Sequence, residues 1–207
     1  GSGWWAATSR GLYRIDRASD RVQRIAELQI AQPQAVFVDA QQRVWVGSDG
    51  ALWRVGADGA AEMAWPGVDG IPLQSIVQAA DNRLWLALDG GGVAVFDPAS
   101  GSIERLQRSA SIEGSLPEDA IRTLMVDRSG QLWLGGLVFG VSRADPEGAK
   151  FRFLVDDLVG ARSLATNNVL ALLQDSRGAL WIGTDGDGVK RYDFSRREFT
   201  YFGDALN

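Results

Sequence analysis

Histidine and cysteine are both absent from the 207 residues of this chain. Without histidine there is no Ser-His-Asp or Cys-His nucleophile, no histidine-ligated zinc and no histidine proton shuttle. Without cysteine there are no disulfides and no thiolate metal ligands. A run of about 18 apolar residues is also lacking, so no membrane contact is predicted within this segment. We therefore expect a non-catalytic protein that holds neither a cofactor nor a metal.

Positive charge is in modest deficit. The chain carries 21 Lys and Arg residues against 26 Asp and Glu residues, a net charge of −5. The basic residues are scattered along the sequence rather than grouped in a patch or stripe. A surface that binds a nucleic-acid backbone needs such a patch, so we expect no nucleic-acid partner.

Tryptophan, by contrast, is abundant and regularly placed. Five of the eight tryptophans occupy the same position in recurring segments such as RLWLALDGGGVAVFD and GALWIGTDGDGVKRYD. A period of 40 to 50 residues with short strands in each unit is typical of propeller blades. The five are separated by 40, 40, 48 and 48 residues and are Trp5, Trp45, Trp85, Trp133 and Trp181.

Each full unit contains four short strands, here named A to D. An apolar strand A is followed by a turn, the tryptophan strand B, a glycine-rich turn, strand C and an alternating strand D. Asp127 and Asp175 are placed to close the A–B turn, and Gly130 and Gly178 to adopt its left-handed residue. The sequence therefore predicts an all-β propeller of antiparallel blades, four complete and one lacking strand A. Their approximate bounds are 1–31 (partial), 32–71, 72–119, 120–167 and 168–207.

The longer spacing falls in two D-to-A loops, 108–119 and 155–168. Both contain a Ser-Leu pair, Ser115-Leu116 and Ser163-Leu164, at the same distance before the next anchor. Insertions that leave the strands in phase lie on one face of a propeller, where binding is common. The simpler interpretation is a spacer loop whose leucine docks on the core.

Two repeated features suggest chemistry but favour structural roles. The anchor tryptophans could stack on sugars, yet one fixed place in every unit favours packing between sheets. The segment Asp185-Gly186-Asp187-Gly188 resembles a calcium or phosphate loop. However, Lys190 and Arg191 stand where further calcium ligands are needed, and a strand follows where a phosphate loop needs a helix. We expect a turn there.

The starts of the A strands are the best candidates for recognition. In a propeller they meet at the mouth of the central channel. Polar side chains there could hydrogen-bond a small polar ligand such as a glycan fragment, or could be channel lining bridged by water. The candidates stand eleven or thirteen residues before an anchor and are Gln34, Gln74, Arg122 and Asn168.

The segments IRTLMVDRSGQLWLGG and VLALLQDSRGALWIGTDGDGVKRYD resemble the two-component regulator propeller repeat. This repeat occurs in the sensor regions of bacterial hybrid histidine kinases and some diguanylate cyclases. The resemblance implies part of a seven-bladed propeller in the periplasm, with a closed five-bladed ring as the alternative. An open array exposes two sheet edges, which invite self-association.

Three functions remain open at this point. The resemblance favours an extracytoplasmic ligand-sensing or interaction propeller of a bacterial signalling receptor. The second is a propeller lyase or hydrolase that uses acidic residues and a metal. The known propeller lyases of cyclic peptide antibiotics depend on a histidine, which this chain lacks. The third is a pure protein-interaction scaffold.

Overall fold

The chain is built entirely from short antiparallel strands in the part that the structure describes. A computed structural model describes residues 3–26, 30, 32–56, 58–68, 70–144, 150–153 and 168–202. These residues form five sheets and contain no helix. Among them, accordingly, no helix is long and apolar enough to cross a membrane.

Each sheet is a meander whose spatial order follows the chain. The first has three strands, β1 (Gly3–Thr8), β2 (Gly11–Asp16) and β3 (Val22–Ala26). The second contains β4 (Ala35–Val38), β5 (Val44–Gly47), β6 (Leu52–Val55) and β7 (Ala61–Trp65), and the third β8 (Leu73–Gln78), β9 (Leu84–Leu88), β10 (Gly92–Phe96) and β11 (Ile103–Leu106). The fourth contains β12 (Ile121–Val126), β13 (Leu132–Gly136), β14 (Val141–Ala144) and β15 (Phe151–Phe153), and the fifth β16 (Val169–Gln174), β17 (Leu180–Thr184), β18 (Val189–Asp193) and β19 (Glu198–Tyr201).

The A strands β4, β8, β12 and β16 lie side by side, each packed on the next. The first sheet has no A strand in the described residues, and its β1 packs on β4 instead. Among the described strands, all substantial packing between sheets joins neighbours in chain order. In the described residues the array is therefore open between its first and fifth sheets, which favours an open array over the closed five-bladed ring. The total of seven blades stays a prediction.

The anchor tryptophans lie between successive sheets. Trp45, Trp85 and Trp133 are only 2%, 1% and 1% exposed, and each packs in a cluster with apolar residues of the next sheet. Trp5 does the same against the second sheet. Burying about 200 Å² of aromatic surface stabilises the fold by at most about 5 kcal/mol per residue. Trp181 of the fifth sheet stacks on Phe202, with ring centroids 5.2 Å apart.

In three of the four complete units a single carboxylate ties the A–B turn to its tryptophan. Asp127 Oδ1 accepts bonds from the backbone N–H of Ser129 (2.8 Å) and Gln131 (3.0 Å), while Oδ2 accepts the indole N–H of Trp133 at 2.8 Å. Asp39 and Asp175 repeat this arrangement with Trp45 at 2.8 Å and Trp181 at 2.9 Å. The turn and the anchor are thus fixed by one side chain.

The third unit departs from this pattern. Ala79 occupies the place of the aspartate, and the buried Nε1 of Trp85 has no hydrogen-bond partner in the described residues. The position opposite Trp85 on strand C is also apolar, Val95, where the other units have arginine. The third sheet therefore holds its tryptophan by apolar contact alone.

The left-handed residue of the A–B turn occurs in all four complete units. Gly130 and Gly178 have φ of 84° and 86°, as the sequence predicts. The same position is occupied by Gln42 (φ 63°) and Asn82 (φ 67°) in the second and third units. For most side chains this conformation costs about 1–2 kcal/mol, and asparagine tolerates it better, so Gln42 carries strain that Gly130 and Gly178 avoid.

This difference predicts opposite effects of two substitutions. Gln42→Gly should raise the free energy of unfolding by about 0.5 kcal/mol, since relief of strain exceeds the added entropy of the unfolded chain. Gly178→Ala should lower it by about 1 kcal/mol from backbone strain alone, because an added Cβ meets no atom within 4 Å. Urea titration measures both values. If both substitutions changed the free energy of unfolding in the same direction, the assignment of backbone strain to Gln42 would be wrong.

The aspartates should also make stability depend on pH. Burial opposes ionisation of Asp127, but bonds from Ser129 and Trp133 outweigh this and hold its pKa below the ordinary value. The Trp181 indole is the main cause of the lowered pKa of Asp175. A lowered folded-state pKa stabilises the fold above the ordinary aspartate value of about 4, and this contribution is lost as the pH falls further.

We therefore expect the free energy of unfolding to fall on acidification from about pH 5 to pH 3, and to fall less steeply in Asp127→Asn. Trp133→Phe keeps an aromatic side chain but removes the N–H, so the free energy of unfolding should again depend less steeply on pH than in the wild type. Denaturant titrations at a series of pH values measure these slopes. Curves parallel to that of the wild type in both variants would show that the indole bond does not stabilise the carboxylate.

Apolar side chains are exposed on the outer faces of the first and fifth sheets. Leu173 is 63% exposed, whereas its counterpart in the fourth sheet, Met125, packs against the fifth sheet. Trp4 is 64% exposed, whereas its counterpart Leu84 in the third sheet is fully buried. The exposed face of the fifth sheet therefore corresponds to the face that each earlier sheet packs on the next one. The exposed face of the first sheet corresponds to the face that receives this contact.

We propose that these faces pair between two copies of the 207-residue chain, fifth sheet to first. The mass measured by light scattering should then rise with protein concentration, and Leu173→Lys or Trp4→Lys should abolish the rise. Ile112→Lys is a matched control, because Ile112 is also 63% exposed but lies in the loop at 108–119. A monomer mass at every concentration, or equal loss in the control, would refute this pairing.

Candidate functional site at the mouth face

The A-strand starts and the B–C turns interlock at one end of the array, here called the mouth face. The backbone N–H of Asp89 donates to Pro72 O at 3.0 Å, and that of Leu137 to Ala120 O at 3.1 Å. In the fifth sheet the Asp185 N–H donates to Asn168 O at 3.0 Å. Every B–C turn named here therefore lies against the start of an A strand.

Three of the A strands begin with a β-bulge. The register with strand B shifts between residues 73 and 75, 121 and 123, and 169 and 171. The extra residues are Gln74, Arg122 and Leu170, which stand eleven positions before their anchors. A bulge leaves one residue without a ladder partner and re-aims its side chain, often beside a functional site. The pattern of apolar residues carries no signal that would reveal such a bulge.

The candidates Arg122 and Asn168 are each tied to an aspartate of a B–C turn. Arg122 Nη1 lies 3.4 Å from Asp89 Oδ2 of the preceding sheet. Asn168 Nδ2 donates to Asp185 Oδ2 at 3.0 Å. The buried Nε of Arg122 and Oδ1 of Asn168 have no hydrogen-bond partner among the described residues. One N–H donor and one carbonyl acceptor therefore keep unused capacity at the mouth.

The two glutamines are placed differently. Gln34 is exposed and precedes the regular strand β4, and its backbone N–H donates to Gly47 O at 2.8 Å. Gln74 is a partly buried bulge residue of β8. Within the described residues no hydrogen bond joins the four predicted side chains to one another. The structure thus distributes them over adjacent A strands instead of gathering them into one cluster.

The aspartates of the fifth B–C turn are engaged by the protein. Asp187 Oδ2 lies 2.6 Å from Nζ of Lys190, a residue only 3% exposed. Gly186 and Gly188 have φ of 82° and 70°, the conformation for which glycine is suited. Across the described part of the chain no three acidic side chains form a group that could hold a metal ion. The turn has the geometry of a structural hairpin.

The loop at 108–119 is fastened to both the core and the mouth. Leu116 is 1% exposed and packs between the third and fourth sheets. The Asp119 carbonyl accepts the backbone N–H of Gly90 (3.0 Å) and Gly92 (2.8 Å) in the B–C turn of the third sheet. Of the second predicted loop, 155–168, only Asn168 lies within the described residues. Ser163-Leu164 lies outside them.

Two surface clefts lie away from the four predicted residues. One, of about 730 Å³, is lined by outer-strand residues of the first sheet, Arg14, Asp16, Ser19, Arg21, Val22 and Gln23. The other, of about 320 Å³, lies where the loop meets β15 and is lined by Glu113, Gly114, Lys150, Phe151 and Arg152. Neither cleft contains a residue from the start of an A strand. The first is a wide groove that is open to solvent.

Solved structures with a similar fold include an extracellular domain, an enzyme and a nutrient binding protein. The extracellular domain of a hybrid two component system from B. thetaiotaomicron matches with a TM-score of 0.54 and 18% identity, over 97% of this chain and 33% of that one. A virginiamycin B lyase from Staphylococcus aureus matches with a TM-score of 0.69 and 15% identity, over 96% and 65%. An auxiliary nutrient binding protein from Bacteroides ovatus matches with a TM-score of 0.68 and 10% identity, over 97% and 54%.

At these identities the likeness establishes the fold, and the chain spans about a third of the length of the extracellular domain that it matches. No curated protein sequence matches the chain. A family model does match, that of the two component regulator propeller, over residues 115–137 and 163–186. Both segments contain strands A and B of one sheet. The chain is therefore an all-β propeller array that carries repeats of the two component regulator propeller type.

Proposed function

We propose that this chain is a non-catalytic, ligand-sensing part of a bacterial signalling receptor. The family match and the shared fold with the extracellular domain of a hybrid two component system support this proposal. The proposal includes a location outside the cytoplasm, in the periplasm, and the same comparison supports it. Its ligand in this proposal is a small polar molecule such as a glycan fragment, bound at the mouth face.

The observation that carries the proposal is the unused hydrogen-bonding capacity of Arg122 and Asn168. Buried donors and acceptors are nearly always paired, so two such atoms on adjacent A strands mark a place where a polar molecule would bind. Asp89 and Asp185 hold the two side chains in position through other atoms, Nη1 and Nδ2 respectively. One ligand hydroxyl can accept from Nε of Arg122, and another can donate to Oδ1 of Asn168.

The similarity to the virginiamycin B lyase is a similarity of fold, and this is its only support for an enzymatic function. A histidine-to-alanine variant of the Staphylococcus aureus lyase is described as catalytically inactive. The present 207 residues contain no histidine, so the same chemistry has no equivalent residue here. An enzyme built on this array would need acidic residues and a metal, for which Asp185 and Asp187 are the candidates.

The proposal is tested by thermal unfolding and calorimetry with short neutral oligosaccharides of glucose, xylose and mannose. An oligosaccharide that binds the folded chain should stabilise it, by about 2.7 kcal/mol at a hundred times its Kd. Arg122→Ala and Asn168→Ala should each weaken binding roughly ten-fold through loss of one hydrogen bond in a buried site. Gln34→Ala should have a smaller effect because its side chain is exposed.

Two results would overturn the proposal. Binding of no oligosaccharide, with capture of a protein by the mouth face instead, would identify a scaffold. A metal bound at one equivalent and lost in Asp185→Asn or Asp187→Asn would point to the enzyme.

A further inference from the structure

The B–C turn of the fourth sheet differs from the others. In the second, third and fifth sheets this turn begins with an aspartate followed by glycine, at Asp49, Asp89 and Asp185. In the fourth sheet the corresponding residues are Leu137, Val138 and Phe139. Val138 is 55% exposed and Phe139 46% exposed, so an apolar tip stands at the mouth face where its counterparts are small and polar.

A buried carboxylate holds this tip. Glu118, from the loop at 108–119, is 6% exposed and accepts the backbone N–H of Val138 at 3.0 Å and of Phe139 at 2.8 Å through Oε1. Oε2 accepts the Val138 N–H as well, at 3.1 Å. Burial of a carboxylate is costly, and bonds from two amides offset that cost. A Cβ added at Gly136 would overlap Glu118 Oε1, so the carboxylate is closely seated.

The tip rises between the two residues that carry the proposed function. Leu137 N–H donates to Ala120 O, two residues before Arg122. A Cβ built on Gly135 would lie 2.6 Å from both Thr123 of β12 and Val169 of β16. The end of β13 is therefore wedged between these A strands. Arg122 precedes Thr123 and Asn168 precedes Val169, so the polar candidates stand on either side of the turn.

We infer that Val138 and Phe139, held by Glu118, form an apolar wall of the mouth site and contact the C–H face of a neutral carbohydrate. A sugar ring offers hydroxyl groups at its edge, which suit Arg122 and Asn168, and an apolar face, which suits an aromatic side chain. The acidic residues Asp89, Asp185 and Glu118 would repel an anion. Val138 and Phe139 thus select the ligand, and Glu118 is a positioning residue. This inference rests on the proposed function.

The test uses the same oligosaccharides, and the 207-residue chain with Phe139→Ala, Phe139→Tyr and Val138→Ser. Loss of the aromatic face should weaken binding roughly ten-fold in Phe139→Ala, and Phe139→Tyr should retain it. Val138→Ser should weaken it less. Met63→Ala is the control, because Met63 is 50% exposed on the outermost strand β7, and it should bind as the wild type does. Thermal melting without sugar checks that each variant folds.

The positioning role of Glu118 is tested by amide hydrogen exchange at Val138 and Phe139. If Glu118 only stabilised some other part of the fold, its replacement would not change the exchange rates at this turn. Glu118→Ala should speed exchange at Val138 and Phe139 and weaken oligosaccharide binding, and Glu118→Gln, which keeps one acceptor oxygen, should restore part of both.

The outcomes separate the two proposals. Binding that is lost in Arg122→Ala but unchanged in Phe139→Ala would overturn the apolar wall alone and leave the proposed function standing. Unchanged exchange in Glu118→Ala would overturn the positioning role. Binding of no oligosaccharide by the wild type would overturn both proposals, and binding of anionic sugars in preference to neutral ones would overturn the assignment of the ligand.

Discussion

The packing of a tryptophan from one sheet onto strand B of the next is the contact on which the whole array depends. No single sheet buries its apolar faces, and in the described residues each packs substantially only on its neighbours in the chain. Trp45, Trp85 and Trp133 supply the largest buried side chains at three of the four junctions. In an array of this kind stability is close to a sum of unit and junction contributions. Whatever the ligand, the repeated residues belong to this framework.

Most of the framework can be read from the sequence, because it repeats. The spacing of the tryptophans defines the units, the alternation of apolar residues defines the strands, and Gly130 and Gly178 mark the left-handed turn position. Comparison of the copies removes false leads as well, since the Asp-Gly turn at 185–188 becomes one of several hairpins. The second role of Asp127, as acceptor for the Trp133 indole, escaped the prediction, although the six-residue spacing repeats in three units.

The mouth face is less predictable because it is made of differences between copies. The bulges that single out Gln74, Arg122 and Leu170 depend on strand pairing, and side-chain periodicity carries no trace of them. Glu118 lies in a loop of largely polar sequence, yet it is buried beneath a turn about twenty residues further along the chain. Two features of the sequence could have indicated its role. Glu118 lies in an insertion, and the same unit has Leu137, Val138 and Phe139 where the others have an Asp-Gly turn.

The unpaired indole of Trp85 makes tolerance to sequence drift uneven along the array. At positions 45, 133 and 181 a change from tryptophan to leucine would remove the N–H that an aspartate carboxylate now accepts, so a polar contact is lost together with apolar burial. At position 85 the partner is already Ala79, and an apolar replacement would leave no polar group behind. The third unit is therefore where the defining tryptophan of this repeat can change without the loss of a hydrogen bond.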